Sequence, residues 1–324
     1  MHNLYNYFRH RRDIALLSAA LLLLMVALFN PKIPVKRDIY SYILVADISQ
    51  SMNTVDKTLN GKPVSRMVFM QDLMHRLVGE LPCGTNVSMS VFAGVSVAAL
   101  YTPIEVCENF DAINDTIDHL DWRTAWSGNS RVRASMTTLA KTIRSFPEPA
   151  QVVYFTDGEE APKLHVFNRT DLTAFQGGED WLFVGIGSDA GTPIPKFDEH
   201  NQLIGYWSGD IAQISESNLG VRDDNVAGGT SDRYLSKLDE EYLKELSKEV
   251  NGLYVRGNSV HDVLEAMKKQ KPVRKDKAAF ELRWILAAMA GLLFILAYTP
   301  KHPVHELKLQ WQAFISRRRQ AKTA

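Results

Sequence analysis

YSYILVADISQS, residues 40–51, is the stretch from which the rest of the chain is read. Tyr40–Ala46 is mostly apolar and rich in β-forming side chains, the pattern of a strand covered on both faces. The run stops at Asp47, and Ile48, Ser49, Gln50 and Ser51 follow. Open α/β sheets bind ligands at the C-terminal ends of their strands. Asp47, Ser49 and Ser51, at every second residue, bring one carboxylate and two hydroxyls to one spot. These are the hard oxygen donors that magnesium and calcium take. Asp and Ser also cap turns at strand ends, so the motif is weak when it stands alone.

Outward from this strand the pattern alternates. Ser65–Leu81 has helical spacing, with Met67, Met70, Leu73, Met74, Leu77 and Val78 on one face. Val87–Phe92 and Val95–Tyr101 are two short strands across Ala93-Gly94, a hairpin signal. Arg131–Phe146 is helical and is stopped by Pro147. Gln151–Phe155 and Trp181–Ile186 are buried strands again. Tyr242–Val250 is a helix closed by Asn251-Gly252, Leu253–Val255 a last strand and Val260–Lys269 a last helix. The expected fold class is α/β, a doubly wound, mostly parallel sheet with one antiparallel edge hairpin strand, over residues 38–270. Between Ser188 and Leu238 Gly, Pro, Asp and Ser are dense and only Leu203–Trp207 looks strand-like. That stretch, 188–238, reads as an insert with its own small hairpin.

Composition narrows the function. The chain has 324 residues, with Lys+Arg and Asp+Glu at 37 each. It lacks the basic bias of a nucleic-acid binder, and no nucleic-acid partner is expected. Hydrophobic content of 45% rules out wholesale disorder. The balance hides a partition. Residues 1–13 carry Arg9, Arg11 and Arg12 against Asp13, and residues 299–324 carry six basic side chains against Glu306, so the body between is acidic.

Ile14–Phe29 is uncharged and ends at Asn30-Pro31, and Leu282–Tyr298 is apolar with Trp284 and Tyr298 at its edges. Segments 14–29 and 282–298 read as transmembrane helices in a lipid bilayer, slightly short of its core of about 30 Å. A cleaved signal peptide is the competitor for the first, but no small-x-small cleavage site follows it. Two spans place the body on one side and the basic tails, 1–13 and 299–324, on the other. Lys32, Lys36, Arg37 and the basic run from Lys268 to Lys277 flank the opposite faces, so positive charge does not decide which side is which.

Two further loops fit beside Asp47. Ser127-Gly128-Asn129-Ser130 leads into the Arg131–Phe146 helix, and Thr156-Asp157-Gly158 ends the QVVYF strand. Together, DISQSM after an apolar strand, GNSRVRASM and YFTDGEEA resemble the three loops of von Willebrand factor A domains. Their metal-ion-dependent adhesion site joins Asp-x-Ser-x-Ser to a Thr and a second Asp. The resemblance implies Asp47, Ser49, Ser51 and Ser130 as ligands directly or through water, and Asp157 through water. Ser130 departs from the usual Thr but keeps the oxygen, and Thr124 is a weaker candidate. GIGSDAGTPIP and LDEEYLKELSKEVNGLYVRG resemble membrane-anchored A-domain proteins of bacterial aerotolerance operons. LPCG, the PIEVC segment and IPKFDEHNQLIGYW resemble an A-domain protein of methanol-oxidation gene clusters.

Cys83 precedes the first hairpin strand and Cys107 follows the second. Pairing across a turn near Gly94-Val95 opposes residues whose numbers sum to about 189, and these two sum to 190. That suits a disulfide, with two unrelated buried thiols as the other reading. A disulfide needs an oxidising compartment, which places the body in the periplasm and the protein in a bacterial inner membrane. The resemblance implies the same.

The expected function is a membrane-anchored, metal-dependent protein-interaction module and not an enzyme. The expected ion is Mg2+, or another divalent cation such as Mn2+ or Ca2+, and a protein partner contributes a carboxylate to it. The resemblance implies help in assembling or maturing a periplasmic enzyme complex such as methanol dehydrogenase, beside other membrane A-domain proteins and a cytoplasmic AAA-type ATPase. A metal-assisted hydrolase using Asp47 and Asp157, or a metal-free scaffold, are the alternatives. No Gly-x-Ser-x-Gly, His-Glu-x-x-His or phosphate loop is present, and His75, His119 and His165 lack ligand spacing. Tyr206 and Trp207, in the insert, are the expected partner-binding aromatics.

Overall fold

A computed structural model of the chain describes residues 12–128, 130–161, 163–164, 169–172, 180–198, 200–208 and 234–298. Most of the two expected tails, the centre of the insert at 209–233 and His165 lie outside these residues. Asp38–Lys275 forms one compact unit and the terminal segments form another.

In the larger unit, strand β1 (Ser41–Asp47) is buried along its whole length. Its side chains alternate between two cores, as a period of two requires. Tyr42, Leu44 and Ala46 face one, and Ile43 and Val45 face the other. Helix α1 (Arg66–Glu80) starts where the Ser65 hydroxyl accepts from Val68 N at 3.3 Å, and lays Met70, Leu73 and Leu77 on the first core. Strand β2 (Asn86–Ala93) runs parallel to β1. Strands β3 (Ser96–Ala99) and β4 (Ile104–Glu105) return antiparallel along β2. The turn into β3 uses Gly94 at φ +64°, where a Cβ would stand 2.8 Å from that of Ser127.

Helices α2 (Phe110–Asp118) and α3 (Val132–Arg144) lead to strand β5 (Gln151–Thr156) and then β6 (Trp181–Gly185). Helix α4 (Glu240–Glu249), strand β7 (Leu253–Arg256) and helix α5 (Val260–Met267) complete the unit. The sheet order is β7-β6-β5-β1-β2-β3, with β4 also on β2, and every pair from β7 to β2 is parallel. Helices α1, α2 and α5 cover one face, and α3 and α4 the other. The fold is therefore the expected α/β arrangement, a mostly parallel sheet wound on both faces with an antiparallel edge. The insert forms short pairs, Thr192–Pro193 with Leu235–Ser236 and Pro195–Phe197 with Leu203–Tyr206.

Cys83 and Cys107 are bonded, with their Cα atoms 5.3 Å apart. The hairpin register explains their meeting. Ser90 opposes Ala99 near the turn, but Asn86 opposes Glu105 farther out, so the returning chain gains two residues and carries Cys107 to the open end beside Cys83.

The terminal unit holds helices Arg12–Leu28 and Arg283–Tyr298 and most of the paired strands Lys32–Ile39 and Arg274–Glu281. The expectation of two transmembrane helices is corrected in one respect: among the described residues no helix is long and apolar enough to cross a membrane. The first has 17 residues and the second 16. At 1.5 Å per residue they reach about 25 Å. The first is cut short by Asn30, at φ 45°, and Pro31. Ala20, Ala290 and Ala297 are buried, whereas Leu21, Leu22, Leu28, Leu292, Phe294 and Ile295 are exposed.

The disulfide spans a sequence separation of 24, for which loop closure contributes about 3 kcal/mol. Replacing both cysteines with serine should lower the unfolding free energy of the larger unit by about that amount in urea titrations. Thiol labelling of the unreduced, denatured protein should find no free thiol.

Candidate metal centre

The register of β1 and β5 builds the centre. Ala46 pairs with Phe155, so Asp47 and Thr156 leave adjacent strands side by side. Thr156 Oγ1 donates to Asp47 Oδ2 at 2.6 Å, and Ser49 N donates to Oδ1 at 2.9 Å. Both carboxylate oxygens are thereby fixed in place. The chain then turns through a short 3-10 segment, Gln50–Asn53, which brings Ser51 Oγ to 3.2 Å from Ser49 Oγ. Asp47, Ser49 and Ser51 are all buried. The spacing of two predicted from sequence does converge.

Ser130 joins from the second loop. It bridges Gly94 on one side and Ala161 on the other, which ties the β2–β3 turn, the entry to α3 and the third loop together. It is 4% exposed, and among the described residues its hydroxyl has no hydrogen-bond partner. A buried hydroxyl left unpaired costs free energy, and a bound cation is one group that would satisfy it. Thr124 is exposed and donates to Asp121 O at 2.7 Å, so it is bound up in its own turn and stands outside the centre.

Asp157 is fully buried in the third loop, but it is not free to serve an ion alone. Its Oδ1 accepts from Glu159 N at 3.0 Å, and its Oδ2 accepts from Arg66 Nη1 at 2.8 Å. Arg66 is itself fully buried and also donates to Asp56 Oδ2, at 2.8 and 3.0 Å. Sequence reading missed Arg66. The signal was present, because position 66 falls on the stripe of Met70, Leu73 and Leu77, where a cation needs a buried partner. Thr156, which orients Asp47, was also missed.

Charge is held here under strain. Burial, and then the nearby charge of Asp157, push the Asp47 carboxyl up to about 7. Burial and Asp157 push Glu159 to about 7 as well. Burial also works against Asp56, but hydrogen bonds and charge from Arg66 outweigh it and hold Asp56 below the usual carboxylate range. The donor set fits a small divalent cation: one carboxylate poised by two hydrogen bonds, two adjacent hydroxyls and a third hydroxyl without a partner. Such an ion would supply the positive charge that Asp47 lacks. Elsewhere among the described residues, Cys83, Glu105 and Cys107 gather ligand-type atoms, but there the sulfurs are bonded to each other. His75 pairs with Asn114 and Asp118, and His119 with Asp115, so neither serves the centre.

The insert folds back onto the same sheet edge. Asp239 N donates to Asp157 O at 2.9 Å, and Lys237 N and Tyr234 Oη reach Glu159 Oε1 at 3.1 and 3.4 Å. Tyr206 and Trp207 are half-buried. Lys196 Nζ lies 4.7 Å from the centre of the Trp207 ring, and Phe197 packs on Trp122 at 5.8 Å. Trp207 thus packs within the insert, and Phe197 packs against the body of the larger unit.

The two raised carboxyls set a pH dependence. Their folded pKa lies above the unfolded value near 4, so between about pH 4 and 7 the folded state binds more protons than the unfolded state. Stability then falls as pH rises through that window. Chelator-treated protein should melt at a higher temperature at pH 5 than at pH 7.5, and magnesium should remove much of the difference. Asp47→Asn should flatten the apo profile and abolish the magnesium effect in the same thermal scans.

Comparison with known proteins agrees with this architecture. Residues 42–160 match the family model described as von Willebrand factor type A domain. A UPF0353 protein of Mycobacterium avium is 29% identical over 234 residues, covering 65% of this chain and 66% of that protein. A UPF0353 protein of Mycobacterium marinum is 28% identical over 222 residues, covering 62% and 63%. This chain thus spans slightly less than two thirds of the length of these relatives. Among solved structures, an aerotolerance-related membrane protein from Bacteroides fragilis superposes with a TM-score of 0.50 at 20% identity, covering 71% of this chain and all of that one. Sheet order, loop placement and the match over residues 42–160 together show the fold of a von Willebrand factor type A domain in this part of the chain.

Proposed function

We propose that the protein is a membrane-anchored, metal-dependent protein-interaction module rather than an enzyme. The observation that carries this reading is the Ser130 hydroxyl, buried and without a partner among the described residues, on a loop bridged to Gly94, two residues beyond the Phe92 that pairs with Asp47. Asp47, Ser49, Ser51 and Ser130 would hold Mg2+ or a similar divalent ion, with Asp157 acting through water. Oxygen-only donors and retained water suit magnesium. The ion would supply an attachment point for a carboxylate from a protein partner, and the insert beside it would supply specificity.

The terminal helices are proposed to lie in a bilayer. Large apolar side chains such as Leu21, Leu22, Leu292 and Ile295 are exposed on them, which suits lipid and not water. The shortfall of a few Å is within what local thinning and flanking residues accommodate. The disulfide supports an oxidising, periplasmic location for the larger unit, with the basic tails cytoplasmic. The protein from Bacteroides fragilis is a membrane protein by its own description. In this reading the module helps a periplasmic protein complex to assemble.

The test is calorimetric titration of the detergent-solubilised protein with magnesium. The parent should bind, Asp47→Ala should lose binding by at least a hundredfold while keeping its circular dichroism, and Ser130→Ala should weaken binding by about tenfold. Partner capture from solubilised membranes should disappear with chelator. Equal magnesium binding by the parent and Asp47→Ala would place the site elsewhere.

A further inference from the structure

Arg66 uses all five of its N–H donors on three separate segments. Nε and Nη2 donate to Asp56 Oδ2, Nη1 to Asp157 Oδ2 and to Ser236 Oγ at 2.7 Å, and Nη2 to Ser236 O at 3.2 Å. Asp56 also accepts from the backbone and hydroxyl of Ser188, each at 3.0 Å. Gly187, at φ +145°, makes room for the guanidinium, since a Cβ there would stand 3.2 Å from Nε. One nitrogen, Nη1, thus serves both the third-loop carboxylate and the strand that returns from the insert.

We propose that Arg66 couples occupancy of the metal centre to the hold on the insert's returning segment, residues 234–239. This rests on the metal-binding reading above. A divalent ion that shares Asp157 repels the guanidinium across a buried, poorly screened gap. Arg66 then yields its Asp157 bond, and the Ser236 contacts on the same guanidinium shift with it. The other ties of this segment, Lys237 N and Tyr234 Oη to Glu159 and Asp239 N to Asp157 O, run to the same loop and loosen together. Linkage makes the effect reciprocal: whatever grips the returning segment changes ion affinity by the same factor. A partner seated on the insert therefore also sets how tightly the centre holds its ion. Arg66 is a positioning residue here, and it touches neither the ion nor the partner.

Hydrogen exchange on the full chain, with and without saturating magnesium, tests this. Amides of residues 234–239 should exchange at least threefold faster with magnesium, while those of α1 stay unchanged. Ser236→Ala should still bind magnesium in calorimetry but show a smaller magnesium-dependent change in exchange, since it removes the Oγ bond to Arg66 and leaves the backbone one. Arg66→Gln, if it folds, should bind magnesium at least tenfold more tightly. If it does not fold, the exchange comparison decides. Unchanged exchange in a parent that binds magnesium, or a full effect in Ser236→Ala, would overturn the coupling. Absence of any magnesium heat in the parent would defeat the metal reading itself, and the coupling with it.

Discussion

Asp47 and Asp157 are neighbouring carboxylates with no solvent exposure, and the C-terminal edge of the sheet is organised around the repulsion between them. Two buried negative charges need compensation, and the two receive it differently. Asp157 has Arg66 at 2.8 Å. Among the described residues Asp47 has hydrogen bonds alone, from Thr156 Oγ1 and Ser49 N. The asymmetry leaves Asp47 as the carboxylate without a cationic partner among the described residues, with the Ser49 and Ser51 hydroxyls following it in the same turn.

The scaffold makes this imbalance tolerable. β1 and β5 are central, parallel and covered on both faces, so the strand ends that carry Asp47 and Thr156 cannot splay apart without opening both cores. A site on rigid strands holds its donors more closely than one on loops alone. Arg66 extends the constraint outward. It begins α1 but spends its charge on Asp56, Asp157 and Ser236, so the loop after β1, the loop after β5 and the end of the insert share one guanidinium.

Much of this was legible in the sequence. The apolar runs at 41–47, 151–156 and 181–185 read as buried strands because burial on both faces removes polar alternation. The Asp-x-Ser-x-Ser spacing converges because residues 49–51 leave the strand into a tight turn. The Cys83–Cys107 bond followed from hairpin arithmetic, although the return strand gains two residues that the arithmetic did not contain. Less was legible in the insert. Tyr206 and Trp207 read as exposed aromatics, but Trp207 lies against Lys196, and that contact forms only when two strands of the insert pair.

The sequence by itself determined which segments are strands and helices, which face of each is buried and which residue types sit at the strand ends. Those properties depend on periodicity within a few residues. Tertiary structure alone decided that β5 lies beside β1, which places Thr156 on Asp47, and that Arg66 meets Asp157 across 91 positions of sequence and Ser236 across 170. The physical reason is that a buried charge accepts whichever partner the packing brings near. No local pattern names that partner until the sheet has closed around it.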